Sequence, residues 1–469
     1  MTRAHRGVST VILFAASLPA AGEIDRTRPP ETPPLEAYDV PAATEIRMPN
    51  GMRVITVEDR RFPLITLRMG FAAGSRYDPP ELTGLSEMLG DMLVEGTANR
   101  SSREIAEQLA AMGGALSGQS TDDSLILLGR VLAERLPEML DLTADVTRNA
   151  VFPEDELRLR RENRKQELRA QLARPDVLVT QKFREVVFGD HPYSRMLPTE
   201  ESLDRIGRQQ LFVFRDRHLR PEEAVLVLVG SLPDDRRMME LLDRHFGNWQ
   251  GTGQAAGGVS QLPQPERRVV LVDRPGSVQA DVRVGRIAIS RLSPEYYALL
   301  VANTIAGGGA SSRIFRTIRE EKGFAYQAAS MFVPLKESGY FAALMQVRNE
   351  AVEPAITALL GELERMAEAE PPREEIEAVQ NYLNGTFVLS METPAGLASQ
   401  ILNVRLMDLP PDYLDRYVER IRAVRPEGVR EVSGRYIAPN DAAIVVVGDA
   451  NEITRPLEQF GTVRVEQTR

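Results

Sequence analysis

The chain has 469 residues, 43% hydrophobic and 26% charged, with a formal net charge of −10 and no cysteine. That length exceeds one ordinary core and implies more than one domain. The acidic balance argues against nucleic-acid binding, and without cysteine neither a disulfide framework nor a lipid-modified cysteine is available.

At the N-terminus, Arg3, His5 and Arg6 precede the apolar run Val11 to Leu18, and Pro19-Ala20-Ala21-Gly22 offers small residues for cleavage. This is the three-part pattern of a signal peptide over residues 1–21, cut near Ala20–Gly22. No later stretch reaches the ~18 apolar residues of a membrane span. The expectation is an exported, periplasmic protein. Residues 22–43, rich in Pro and Glu, read as an extended lead-in.

Strands are predicted at Met52–Val57 and at Leu64–Phe71, where Ile65, Leu67, Met69 and Phe71 alternate with other residues. An apolar-rich helix follows over 84–97. Ser101 and Glu104 have capping-box spacing for a helix over 103–112, which Gly113-Gly114 closes. Two long helical patterns occupy about 131–149 and 154–173, the second stopping at Arg174-Pro175.

The first half ends on Pro221-Glu-Glu-Ala-Val-Leu-Val-Leu-Val-Gly230, and near the C-terminus stands Pro439-Asn-Asp-Ala-Ala-Ile-Val-Val-Val-Gly448. These copies are 218 residues apart, as are Pro153 and Pro371, while Pro175 and Pro394 differ by 219. A strand around Val269–Val272 opens the second half as Met52–Val57 opens the first. A series of matches at one offset is a duplication. The division is therefore 44–250, a Gly/Gln/Ser/Pro-rich linker over 251–266, and 267–469. Each half has the α+β pattern of an antiparallel sheet with helices on one face. Joined by one linker, two such halves would form a clamshell with an internal cleft.

Within the second half, Ile305 to Tyr326 reads I-A-G-G-G-A-S-S-R-I-F-R-T-I-R-E-E-K-G-F-A-Y. Gly307, Gly308 and Gly309 are expected to form a loop whose backbone a ligand or another chain can approach closely. A helix over 312–322 would carry Ile314, Phe315 and Ile318 as its apolar stripe and stop at Gly323. Ser311 and Ser312 suit helix capping better than nucleophilic catalysis, since no histidine stands at a suggestive position. On the residues alone, Arg319 reads as half of an ion pair and Tyr326 as a half-buried core phenol.

These motifs resemble the pitrilysin (insulinase-like) zinc metallopeptidases over nearly the whole mature chain. The resemblance rests on N-G-M-R-V (Asn50 to Val54), G-S-R-Y-D-P-P-E-L-T-G-L (Gly74 to Leu85), M-L-V-E-G-T (Met92 to Thr97), H-P-Y (His191 to Tyr193) and the Gly-rich stretch above. In active members, H-x-x-E-H on the helix after G-L supplies two zinc ligands and a general base, and a later Glu completes the site. The matching positions here are Glu87-Met88-Leu89-Gly90-Asp91, with Glu167 at the third ligand. Both histidine ligands and the base are missing. Of the four histidines, His5 lies in the signal peptide, and His191, His218 and His245 have no helical-face spacing. Glu87, Asp91 and Glu167 read as a solvated acidic face, or as an all-carboxylate site for a hard divalent cation. His191 reads as a packing residue.

The resemblance implies a role in this departure. Some bacterial members pair a zinc-binding chain with one that lacks the motif yet keeps the second-half Arg and Tyr. Mitochondrial processing peptidase likewise has a Gly-rich loop on its non-catalytic subunit. By that resemblance Arg319, Tyr326 and Gly307 to Gly309 would contact a peptide substrate, no cofactor would be held here, and zinc would sit in a homologous partner carrying H-x-x-E-H. Two alternatives stand beside it: a structural or assembly protein of peptidase ancestry, and an autonomous hydrolase with a carboxylate-only metal site.

Overall fold

The computed structural model describes residues 39–251 and 261–467. The expected signal peptide, most of the expected lead-in and part of the expected linker lie outside the described residues.

The strands of the first sheet are β1 (Thr44–Arg47), β2 (Arg53–Glu58), β3 (Leu64–Phe71), β4 (Ala115–Ser120), β5 (Leu125–Leu132) and β6 (Val225–Gly230), in the order β1-β2-β6-β3-β5-β4. Period-2 alternation marks β3 and β5. The second sheet has β7 (Val269–Asp273), β8 (Gln279–Ala288), β9 (Ala325–Pro334), β10 (Gly339–Arg348), β11 (Ala443–Gly448) and β12 (Val463–Gln467), ordered β12-β7-β11-β8-β10-β9. Leaving aside β1 and β12, the two orders superimpose strand for strand. The Pro-to-Gly copies, β6 and β11, occupy the same central place, as the duplication requires.

The first five helices are α1 (Leu85–Met92), α2 (Ser102–Ala111), α3 (Leu136–Asn149), α4 (Glu154–Leu172) and α5 (Pro175–Phe188). Four of them follow their sequence signals, and the fifth, α5, was not predicted. Ser101 and Glu104 form the expected capping box on α2. α1 is shorter than its apolar pattern, and β5 takes residues 131 and 132 from the predicted third helix. Side chains from one face of β3 and β5 (Ile65, Leu67, Met69, Leu125, Leu127) pack with Leu85, Met88 and Leu89 of α1 in the first-half core.

The chain adopts the two-halved α+β architecture, with two corrections of detail. Both sheets are mixed rather than antiparallel: β2 runs parallel to β6, and β7 runs parallel to both β11 and β12. Helices also cover both faces of each sheet, because the halves exchange a helix. α5 of the first half lies on the second sheet, where Val179, Phe183, Val187 and Phe188 pack with Val270, Val272, Tyr340, Val445 and Val447. Its counterpart, the helix Pro394–Leu406, lies on the first sheet, with Leu397, Ala398, Ile401 and Leu402 packed against Ile55, Val57, Val225 and Val227. Gly70 makes room for it, since a Cβ there would stand 2.8 Å from Leu406 Cδ1.

The exchange explains why β6 and β11 are apolar without alternation: every residue in both is buried. Each fully buried Val or Leu at these contacts contributes about 1.5–3 kcal/mol. The exchanged helices therefore tie the two halves together.

Candidate substrate-binding site

Two clusters carry the residues singled out by sequence. The first lies on α1. Asp78 starts that helix by accepting hydrogen bonds from the backbone N–H of Gly84 and Ser86, both at 2.9 Å. Gly84 takes the left-handed conformation, φ 97°. Leu85, Met88, Leu89 and Met92 fill the core, which turns Glu87 and Asp91, one helical turn apart, toward α4.

α4 meets them with Arg160, Arg164 and Glu167, spaced along one helix face. Asp91 Oδ2 accepts from Arg160 Nε at 2.8 Å and from Arg164 Nε at 2.9 Å. Arg164 also stands 3.1 Å from Glu167 and 3.9 Å from Glu87, and Arg160 stands 3.9 Å from Glu167. The three carboxylates do converge, but around two guanidinium groups. This corrects both expectations, the solvated acidic face and the carboxylate metal site. Burial raises the pKa of Glu87; Arg164 opposes the shift, and Asp91 and Glu167 add to it.

These residues do not fit zinc. The donor set has neither histidine nor thiolate, and two cations occupy its midst. Among the described residues no group of three His, Cys, Asp or Glu side chains is arranged to hold a metal. Gly90, at the position of the general base, packs beside β4. A Cβ there would meet Gln119 N at 3.5 Å, an ordinary contact, so packing does not forbid a side chain.

The second cluster lies at the Gly-rich stretch. Helix Tyr296–Gly307 runs into it. Gly307 is buried, and a Cβ there would collide with the backbone of Ser330 in β9. At Gly308 a Cβ would stand 2.6 Å from Thr304 Cα, whereas Gly309 faces open space. Of the three glycines, Gly307 and Gly308 relieve contacts within the chain, Gly308 remains half-exposed, and Gly309 is exposed. The following helix is not regular either, because Phe315–Glu321 winds as a π-helix. Such wide turns recur at functional sites. Ser312 is buried, and its Oγ has no hydrogen-bond partner, so it does not cap the helix as expected.

Gly323, at φ 64°, ends the helix as predicted. Ile314 and Ile318 enter the core, while Phe315 turns out to stack on Arg319. Tyr326, the second residue of edge strand β9, is 82% exposed. The Arg319 guanidinium carbon lies 4.7 Å from the ring centroids of both Phe315 and Tyr326. Among the described residues no carboxylate pairs with it. The bland reading of an ion pair and a core phenol is therefore overturned. The rings hold the cation by cation–π attraction and leave its N–H donors to point elsewhere. A guanidinium held this way suits a peptide carbonyl or carboxylate. Among the described residues no hydrogen bond or ion pair joins this cluster to the α1–α4 cluster.

His191 is buried, and its Nδ1 accepts from Tyr193 N at 3.2 Å. Tyr193 in turn donates to Asp123 at 2.6 Å, and Arg76 bridges to Glu337 in the β9–β10 turn at 2.9 Å. H-P-Y is thus a packed joint between the halves. Sequence reasoning missed Arg160, Arg164 and the ring of Phe315. R-x-x-x-R-x-x-E on α4 was the available signal, since three gathered carboxylates without a metal require cations.

The fold and these clusters define a metallopeptidase-like chain whose metal donors have been replaced. The sequence profile of insulinase, peptidase family M16, matches residues 53–200, and that of the peptidase M16 inactive domain matches residues 205–383. The chain belongs to the M16, insulinase-like peptidase family. An uncharacterized zinc protease of Bacillus subtilis is 25% identical over 413 residues, 86% of this chain and 98% of its own. Another from Streptomyces coelicolor is 26% identical over 409 residues, 86% and 88% of the two chains.

Among solved structures, a peptidase M16 inactive domain from Pseudomonas fluorescens matches with a TM-score of 0.80 at 23% identity. The match covers 87% of this chain and 98% of that one. A Helicobacter pylori protease matches at 0.79 and 19% identity, covering 87% and 99%. At these identities the likeness is one of fold alone.

Proposed function

We propose that this chain is the non-catalytic, substrate-binding subunit of a periplasmic heterodimeric zinc peptidase that degrades peptides. The observation that carries the reading is the contrast between the two clusters. Arg160 and Arg164 stand among the carboxylates at the family's metal-ligand positions, while the half-buried Arg319 and the exposed Tyr326 remain assembled, with no acidic partner among the described residues.

In this reading the partner is a homologous chain carrying H-x-x-E-H, and its zinc supplies the polarisation of the scissile carbonyl. Arg319 donates to a carbonyl or carboxylate of the peptide, and Tyr326 holds the guanidinium in place and offers its own hydroxyl. The test is peptide hydrolysis by the reconstituted pair. Arg319→Ala or Tyr326→Phe lowers kcat/KM by about tenfold or more, the loss of one charge-assisted hydrogen bond. Full activity in the double variant sinks the assigned roles.

A further inference from the structure

The duplication lets each residue of one half be compared with its counterpart in the other, and at one place the two differ in chemistry. Arg68 in β3 lies between Leu128 and Val227 of the neighbouring strands; Arg283 in β8 lies between Leu344 and Val445. Each donates through Nη1 to the preceding carbonyl, Leu67 O at 2.9 Å and Val282 O at 3.0 Å.

The similarity stops there. Arg283 is buried, donates to Asp176 O at 3.3 Å, and feels the charges of Asp281 and Asp176. Among the described residues Arg68 has no ion-pair partner, and burial lowers its pKa. Its Nε is buried without a partner, as is that of Arg283.

The packing differs in step. In the second half Phe183 and Phe188 of α5 sit 5.8 and 6.1 Å from the ring of Tyr340. Aligned on Pro175 and Pro394, the counterparts of the two phenylalanines are Leu402 and Met407. Ser124, four residues before Leu128 as Tyr340 is before Leu344, stands for the tyrosine. Three rings are replaced by smaller side chains, and a cavity of about 290 Å³ opens between the first sheet and the helix Pro394–Leu406. Arg68, Ser124, Leu402 and Met407 all line it. Asp122 and Asp123 also reach its wall but are engaged, Asp122 by Arg184 and Asp123 by Tyr193 and Lys336 N.

We infer that this cavity is a binding site for an aromatic or large aliphatic group that carries a carboxylate. The apolar group takes the volume that aromatic rings fill in the other half. The carboxylate supplies the counter-charge that Arg68 lacks, through charge-assisted hydrogen bonds in a partly desolvated setting. The site lies on the sheet face opposite α1 and uses neither Arg319 nor the α1–α4 carboxylates. Two sources share this chemistry, the C-terminal residue of a peptide and a free aryl or alkyl acid.

The experiment is calorimetric titration of the full chain with Ala-Ala-Ala-Phe, its C-terminal amide and 3-phenylpropionate. The acid peptide binds at least tenfold more tightly than the amide, and Arg68→Gln erases that difference. Leu402→Phe with Met407→Phe, which restores the second half's rings, abolishes binding and leaves a folded chain with a higher Tm. Tighter binding of the peptide acid than of 3-phenylpropionate assigns the site to peptide termini, and the reverse assigns it to free acids. Equal affinity for acid and amide, no binding by any probe at millimolar concentration, or undiminished binding in the double phenylalanine variant overturns the inference.

Discussion

Replacing Arg164 by Gln tests whether arginines have taken the metal's place. Arg164 retains 24% side-chain exposure and Asp91 15%, so their charge-assisted hydrogen bonds at 2.8 and 2.9 Å are worth about 1.5–3 kcal/mol. The contacts to Glu167 and Glu87, both more exposed, add about 0.2–1 kcal/mol each. Arg164→Gln should therefore cost about 2–3 kcal/mol at pH 7.

Arg160→Gln costs somewhat less, because Asp91 keeps Arg164. The double variant leaves three carboxylates without a cation and costs more than the sum of the two, by about 1 kcal/mol. With the arginines gone, nothing opposes the burial that already holds the pKa of Glu87 above its unfolded value. The deficit is then largest at neutral pH and shrinks as protons are taken up toward pH 5, Glu87 leading because its pKa is already raised. Urea denaturation at pH 7 and pH 5, with and without millimolar Ca²⁺, reads all of this. Ca²⁺ restores stability to the double variant and does nothing for the native chain. A loss below about 0.5 kcal/mol in Arg164→Gln, or a deficit that persists unchanged at pH 5, would refute neutralisation as the arginines' role.

Burial and the neighbouring Arg217 and Arg220 press the pKa of His218 down to about 4. A depressed histidine gives stability that is whole above its unfolded pKa near 6.5 and is lost as pH falls toward 4, here about 3 kcal/mol. Urea midpoints measured across that window should fall steeply in the native chain and less so in His218→Gln; identical slopes would contradict the burial. Gly307→Ala should lower the Tm by several degrees, because its methyl meets the backbone of β9, while Gly309→Ala should leave the Tm unchanged. Phe183→Ala, which empties the exchanged helix's contact with the second sheet, should cost about 3–5 kcal/mol in a single cooperative transition. Two separate transitions by calorimetry would show that the exchange does not couple the halves.

Much of the architecture was legible. The 218-residue offset placed β6 and β11 in equivalent positions, and alternation in β3 identified its core face without help from any neighbour. The helix exchange was not legible, because an apolar stripe on α5 says which face is buried and not which sheet buries it. Nor could spacing show the π-helix, which redirects Phe315 from the core onto Arg319. Three adjacent glycines looked alike in sequence, yet one relieves a contact with β9, one a contact with Thr304, and only Gly309 is open. Loss of the zinc ligands was plain from Glu87, Gly90 and Asp91. Their replacement was hidden because its cations come from α4, about seventy residues along the chain.

The most direct measurement of the proposed role is hydrolysis of an unstructured peptide by the purified chain alone, by its H-x-x-E-H homologue alone, and by the two mixed. The account predicts no turnover and no stoichiometric zinc for this chain by itself, and chelator-sensitive turnover in the mixture well above that of the homologue alone. Turnover by the isolated chain, or a mixture no faster than the homologue, would contradict it.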